Sequence, residues 1–358
     1  MPLTLNGTTG VSFVDSTIQT SSTATNRIIN GAMVFDQRNA GASVTPTNGQ
    51  YLVDRFAADV SQASKFTAQQ SSTAPTGFTN SLLITSSSAY TVGAGDYFTL
   101  HQFVEGFNTS DFAFGTASAT TITLSFWVRS SLTGTFGGSF RGASNTRSYP
   151  FTYTISTANT WEYETITIVG DTSGTWLTNN GIGIGIFFGL GVGTSNSGTA
   201  GSWQTANLIS ATGAVSVVGT SGATFYITGV QLEKATSASS FGFRQYTEEL
   251  ALCQRYFEKS YEINVKPGTV TSAATTIATF PAQYATYFNC TFQASKRSAC
   301  TMTGYSPSSG AAGNQSQNMT TDIALNGFIS NGLNQACCYS SGAPNTSNYL
   351  HFTADAEL

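Results

Sequence analysis

Residues 121–129 alternate in character: Leu124, Phe126 and Val128 fall on one side of an extended chain, and Thr123, Ser125, Trp127 and Arg129 on the other. Successive side chains of a strand point to opposite faces, so this is the pattern of a half-buried strand. Residues 97–105 repeat it, with Phe98, Leu100 and Val104 on one face and Tyr97, His101 and Glu105 on the other. One face reads as core, the other as polar but decorated with aromatics. Further short apolar runs at 27–34, 51–56, 81–85, 148–156, 161–169, 183–189 and 223–233 are separated by clusters of Gly, Ser and Asn. Strands at this spacing, with such turns, predict an antiparallel β-sandwich.

Composition supports the same reading. Only 9% of residues are charged, against about 25% in ordinary soluble domains, which nearly excludes helical bundles and coiled coils. Ser and Thr take the place of the missing charge. Thr and aromatic residues favour pleated strands, while Gly, Ser and Asn favour turns. A 12% aromatic content argues against disorder, because disordered chains lack such residues. A net charge of -4 and only 14 scattered Lys and Arg argue against a nucleic-acid partner, whose phosphates need basic residues. The longest apolar run, 181–193, is half glycine and too short to cross a bilayer, so no membrane insertion is expected. The N-terminus lacks a basic region followed by an apolar core, so no ordinary signal peptide is expected. The five cysteines are odd in number and two are adjacent, which reads as free thiols made in a reducing cytosol.

A chain of 358 residues suggests two or three domains. Residues 1–25 read as an extended arm, 26–246 as the sandwich, 247–259 as a linking helix and 260–358 as a smaller β domain. In the helix, Thr247, Glu248 and Glu249 suit the first turn and Lys259 the last. Leu250, Cys253 and Phe257 form one stripe, a candidate oligomer interface. A helix this short is not stable alone, so the stripe packs on the sandwich or on copies of itself. Beyond it a strand restarts in SYEINVKPG, and others are expected at 276–279, 287–293, 299–304 and 348–358.

Catalytic patterns are sparse. Glu162 and Glu164 share one strand face, where a solvent-facing strand edge is favoured over an acid/base pair. His101 and His351 are the only histidines, and a Cys338–His351 pair is the remaining nucleophilic arrangement. Residues 189–193, GLGVG, lack phosphate-loop spacing and read as backbone in a tight place. No catalytic residue, metal or cofactor is expected. Trp127 with Arg129, and Tyr97 with His101, form a candidate glycan-binding set, since sugars lay C–H faces on aromatic rings. Subunit packing is the favoured reading of the same rings.

The segments NRIINGAMVFDQRNAG with QYLVDRFAAD, ITLSFWVRSSLTGTFGGSF, RSYPFTYTIS, NTWEYETITIVGDTSGTW and TFYITGVQLEKATSASSFGFRQYTEELALCQRYFEKS together resemble a domain common in tailed-phage virion proteins. The same strands resemble the jelly roll of carbohydrate-binding modules. The last strand of those modules usually carries an Asp where this chain has Thr228. HFTADAEL resembles the end of small β domains that finish phage tail fibres, and LTLNGTTGVSFVD the docking arm of such fibres. The resemblance implies a non-enzymatic tail fibre or related appendage, assembled in the bacterial cytoplasm and carried on the virion. It implies a homotrimer that docks on tail or baseplate proteins through the arm and reaches for a host-surface glycan. A capsid decoration or head-fibre protein without a receptor role is the alternative, and a glycan-degrading enzyme a third.

Overall fold

The computed structural model describes residues 26–280, 286–340 and 346–358. It also describes the backbone of Thr4–Asn6, Gly10–Ser12 and Ile18–Gln19, which pair as a small antiparallel sheet. The rest of the arm expected at 1–25 lies outside the described residues.

The protein is all-β with one short α-helix. The sandwich strands are β1 Gln50–Val53, β2 Phe56–Val60, β3 Phe66–Ser71, β4 Ser81–Ser86, β5 Tyr97–Glu105, β6 Ile122–Ser130, β7 Gly134–Arg141, β8 Ser148–Ile155, β9 Glu162–Ile168 and β10 Ile182–Val192. Two short strands, β11 Ser197–Gly198 and β12 Ser210–Ala211, precede the closing β13 Thr224–Glu233. One sheet runs β8-β7-β10-β5-β2-β1 and the other β9-β6-β13-β4-β3, all antiparallel. Leu124, Phe126 and Val128 are fully buried between them, as their alternation requires. Phe126 lies 5.0 Å from Tyr153 and 5.1 Å from Phe188 of the facing sheet, both edge-on.

The outward face of β5 differs from expectation: Thr99, His101 and Glu105 are buried too. The excursion carrying β12 lies across this sheet. A Cβ on Gly137 would meet Ser210 Oγ at 2.7 Å, and one on Gly189 at 2.6 Å. That is the tight place expected of 189–193.

Residues 27–34 are not a strand. Asn30 and Met33 take left-handed backbone angles (φ 59° and 57°). The Asn30 side chain holds the bend by accepting from Phe35 N and donating to Phe35 O and Asp54 O. Asn tolerates that conformation, and its short amide replaces strand partners.

The helix α1 covers Tyr246–Gln254 and then stops. Phe257 belongs to a strand, β14 Phe257–Lys259, so Lys259 is no helix terminus. The expected stripe of Leu250, Cys253 and Phe257 is therefore not one helix face. Cys253 (1% exposed) packs with Ile29, Phe35 and Tyr256, Leu250 leans on that cluster half-buried, and Phe257 (5% exposed) lies in the next sheet. Cys253 and Phe257 are thus covered by their own chain, and Leu250 half-covered.

The C-terminal strands are β15 Thr276–Phe280, β16 Thr286–Thr291, β17 Thr301–Tyr305, β18 Asn314–Gln317, β19 Thr321–Ile329, β20 Gln335–Ser340 and β21 Thr346–Asp355. The long β21 is the hub and pairs with β14, β15, β17 and β18. No strand forms across 261–268, which turns back so that Lys259 Nζ can donate to the carbonyls of Ile263 and Val265. A separate apolar cluster, including Phe288, Cys290, Cys338, Leu350 and Phe352, forms this core. All five cysteines are free thiols.

Candidate functional site

The outer face of the β9-β6-β13-β4-β3 sheet carries a ledge of aromatic rings. Register places it: Tyr163 on β9 lies opposite Trp127 on β6, and Tyr226 on β13 opposite Arg129. Residues opposite one another in an antiparallel pair point to the same side. Trp127 and Tyr163 approach to 5.3 Å between ring centroids, and Trp161, just before β9, lies 6.1 Å from Tyr226. The Arg129 guanidinium sits 5.1 Å over the Tyr226 ring and is tethered by its Nε donating to Asn159 O at 2.8 Å. Charge and ring thus lie side by side.

A bulge in β13 shapes the far end of the ledge, between Thr228 and Gln231. There Gly229 adopts φ +61°, and a Cβ on it would sit 2.8 Å from Phe78 and 3.0 Å from Trp127. Phe78 continues the ring surface to Phe241 (5.1 Å) and Phe243 (5.2 Å), the last 62% exposed. The Thr228 side chain is buried and its hydroxyl donates to Asn80 O at 2.7 Å. Among the described residues, no group of three or more His, Cys, Asp or Glu side chains is placed to hold a metal ion.

The four tryptophans divide by what their indole N–H groups do. Trp176 donates to Ser173 O at 3.1 Å and Trp203 to Val169 O at 2.8 Å, and both pack edge-on against Phe114. Among the described residues, the indoles of Trp127 and Trp161 donate to nothing, and the hydroxyls of Tyr163 and Tyr226 are also without partners. A buried indole or phenol normally finds a partner inside the protein. These four present rings and unused polar atoms on one outer face.

The other two expected site residues lie elsewhere. Tyr97 and His101 are on the outer face of the opposite sheet, so the four residues do not converge on one site. His101 is 3% exposed and packs against Phe103 at 4.4 Å and Phe187 at 5.3 Å, with Nδ1 3.3 Å from Asp59 Oδ2. Burial is the main cause that lowers its pKa to about 4, with Asp59 pulling the other way. Sequence reasoning missed Tyr163 and Tyr226. The signal was present in the alternation of Tyr163 with Thr165 and Thr167, and in Tyr226 standing two residues before Thr228.

Glu162 accepts the backbone N–H groups of Ser156 (3.0 Å) and Thr157 (2.7 Å), clamping the turn before β9. Burial, then the neighbouring Glu162, raises the pKa of Glu164. His351 does not meet Cys338. It lies between Ser260 Oγ (3.0 Å) and Thr271 O (3.1 Å) and stacks on Tyr261 at 3.8 Å.

No family model matches the chain, and no curated protein matches it. Among solved structures it is similar to the enzymatically active domain of tailspike protein 4 from bacteriophage CBA120, at 11% identity and a TM-score of 0.32. That match covers 59% of this chain but only 21% of the tailspike chain. It is also similar to TmCBM61 in complex with β-1,4-galactotriose (9% identity, TM-score 0.32, 59% of this chain and 100% of that chain). A third is the family 11 carbohydrate-binding module from Clostridium thermocellum in complex with a β-1,3-1,4-mixed-linked tetrasaccharide (11% identity, TM-score 0.28, 55% of this chain and 98% of that chain). Likenesses this distant carry no weight about function.

Proposed function

We propose that the chain is a non-enzymatic glycan-binding protein, a tail fibre or related appendage of a tailed-phage virion, and that the ledge on the β9-β6-β13-β4-β3 sheet is where it holds the glycan. The observation that carries this reading is the set of four rings, Trp127, Trp161, Tyr163 and Tyr226, grouped on one face with their polar atoms unused. A pyranose offers an apolar C–H face to a ring and hydroxyls around its rim. Rings with adjacent donors match both at once, and Arg129 adds a guanidinium edge that accepts no proton and always donates. The virion assignment rests on the resemblance of segments within 26–260 and on a surface built of hydroxyls rather than charge.

A glycan array probed with the whole chain tests the binding. Bound signal is expected for a subset of oligosaccharides, and Trp127→Ala and Tyr163→Ala are each expected to weaken it about tenfold, which is about 1.4 kcal/mol. An array without signal, or variants that bind like the parent, would overturn the reading. Immunogold labelling of particles tests the virion location, and label absent from tail and fibres counts against it.

A further inference from the structure

On the opposite face of the sandwich, the excursion carrying β11 and β12 packs over β7 and β10 of the β8-β7-β10-β5-β2-β1 sheet. Ser210 lies flush on Gly137 and Gly189, so no open groove crosses the sheet there. What remains beside Tyr97 is a pocket of about 200 Å³, floored by the sheet and walled by loop residues. A groove roofed in this way admits one sugar ring and the end of a chain, not the middle of one.

The groups that line the pocket are held from behind and keep capacity in front. Arg141 lies 4.4 Å over the Phe187 ring, and its Nη1 donates to Asn207 Oδ1 at 2.9 Å. The Asn207 amide nitrogen then faces away from that bond and has no partner among the described residues. Asn48 accepts from Val60 N at 2.9 Å through its oxygen, which leaves its amide nitrogen. Asp59 is approached by His101 Nδ1 at 3.3 Å through Oδ2, which leaves Oδ1. His101 Nδ1, next to Asp59, is itself buried without a hydrogen-bond partner. Ile209, 6% exposed, supplies an apolar wall.

We infer that this pocket binds the terminal residue of a glycan and that the residue it selects is N-acetylated. The inference rests on the glycan-binding reading above but not on the ledge. A hydroxyl is satisfied by any one of these groups. An acetamido group needs an acceptor for its N–H, a donor for its carbonyl and an apolar surface for its methyl, side by side. Asp59 is the acceptor, the Asn207 and Asn48 amides with Arg141 are donors, and Ile209 is the apolar wall. A glucose hydroxyl at that place meets the acceptor or a donor but leaves the apolar wall and the other partner unused, so glucose is bound with fewer contacts. Tyr97 offers the ring on which the sugar stacks.

The test titrates the whole chain in parallel with N-acetylglucosamine, N-acetylgalactosamine, glucosamine and glucose, followed by amide chemical shifts. At least one N-acetylated probe is expected to shift Tyr97 and Asn207 saturably, with glucose weaker by about tenfold or more. Asp59→Ala is expected to abolish that preference. Asn207→Ala, at an exposed loop position, is expected to do the same without any risk to folding. Equal affinities for all four probes, or no saturable shift at Tyr97 from either N-acetylated sugar, would overturn the inference. Array binding lost in Trp127→Ala but untouched by both pocket variants would sink the pocket and leave the ledge standing. The reverse result would keep the pocket and sink the ledge.

Discussion

Arg55 and Glu357 form a buried ion pair that ties the sandwich to the segment that follows β21. Their side chains are 1% and 6% exposed. Arg55 also lies 3.6 Å over the Tyr256 ring, and Arg38 reaches Glu357 at 3.2 Å and Asp355 at 3.1 Å. Glu105, on the sandwich, accepts from Arg255 and Tyr256 in the same junction. Removing one partner leaves an uncompensated buried charge. Glu357→Ala is therefore expected to cost about 3–5 kcal/mol, while the double change Arg55→Met with Glu357→Leu costs markedly less. Chemical denaturation of the three proteins checks this, and equal costs would show that the pair is not coupled.

His101 sets a pH dependence. Burial holds its pKa at about 4 in the folded protein, down from 6.5, with Arg141 and Arg55 adding to the push. The unfolded chain takes up a proton as pH falls through 6.5, and the folded chain does not until about 4. The stability contribution is thus complete above pH 6.5 and is lost as pH falls toward 4, by about 3 kcal/mol in all. His101→Gln is expected to flatten this part of the profile. Thermal midpoints at pH 7 and pH 4.5 measure it, and a parallel drop in both proteins would assign the loss to other groups.

Phe126, fully buried between Tyr153 and Phe188, tests which face of β6 is core. Phe126→Ala is expected to cost about 3–5 kcal/mol by denaturant titration, as for other large core cavities. A cost below about 1 kcal/mol would contradict the packing.

Much of the sandwich was legible because β6 alternates cleanly and β5 does so except at Gln102 and Phe103, and period-2 patterning specifies both strand and face. Strand β7 was not legible, because Gly137 and Gly138 have no side chains to alternate. They are there because the chain passes too close for a Cβ, which on Gly138 would lie 2.3 Å from Phe187 O. The end of the helix was also hidden. Cys253 and Phe257 fit a helical period, and what stops the helix is the pairing of Phe257 with Asp355, a contact remote in sequence. The site was half legible for the same reason. Alternation shows that Trp127 and Tyr97 point outward but not that they sit on opposite sheets. Asp59 and Asn207 come together only through sheet order and a loop.

Leu250 decides between intramolecular and intermolecular use of the helix. It packs half-buried against the cluster of Ile29, Phe35, Cys253 and Tyr256 within one chain. Leu250→Asp is expected to lower stability by about 1–3 kcal/mol through a poorly solvated charge. Its sedimentation is expected to match that of the parent, whatever the parent's mass. A change of oligomeric state without loss of stability would restore the stripe as an interface.

Gly229 joins fold and ledge most directly. Its φ of +61° puts any L side chain in the left-handed region, and the new Cβ would press on Phe78 and Trp127 at 2.8 Å and 3.0 Å. Gly229→Ala therefore carries two effects. Backbone strain costs about 1–2 kcal/mol, and the displaced Trp127 ring alters the ledge. Gly213, at φ +81°, has nothing within 4 Å of its Cβ position and separates the two effects. Gly213→Ala is expected to show a similar loss of stability with array binding and tryptophan emission unchanged. Gly229→Ala is expected to lose stability, shift the emission and weaken binding together. Binding retained in Gly229→Ala despite a shifted emission would mean that the position of Trp127 does not matter to the glycan, and the ledge would lose its central ring.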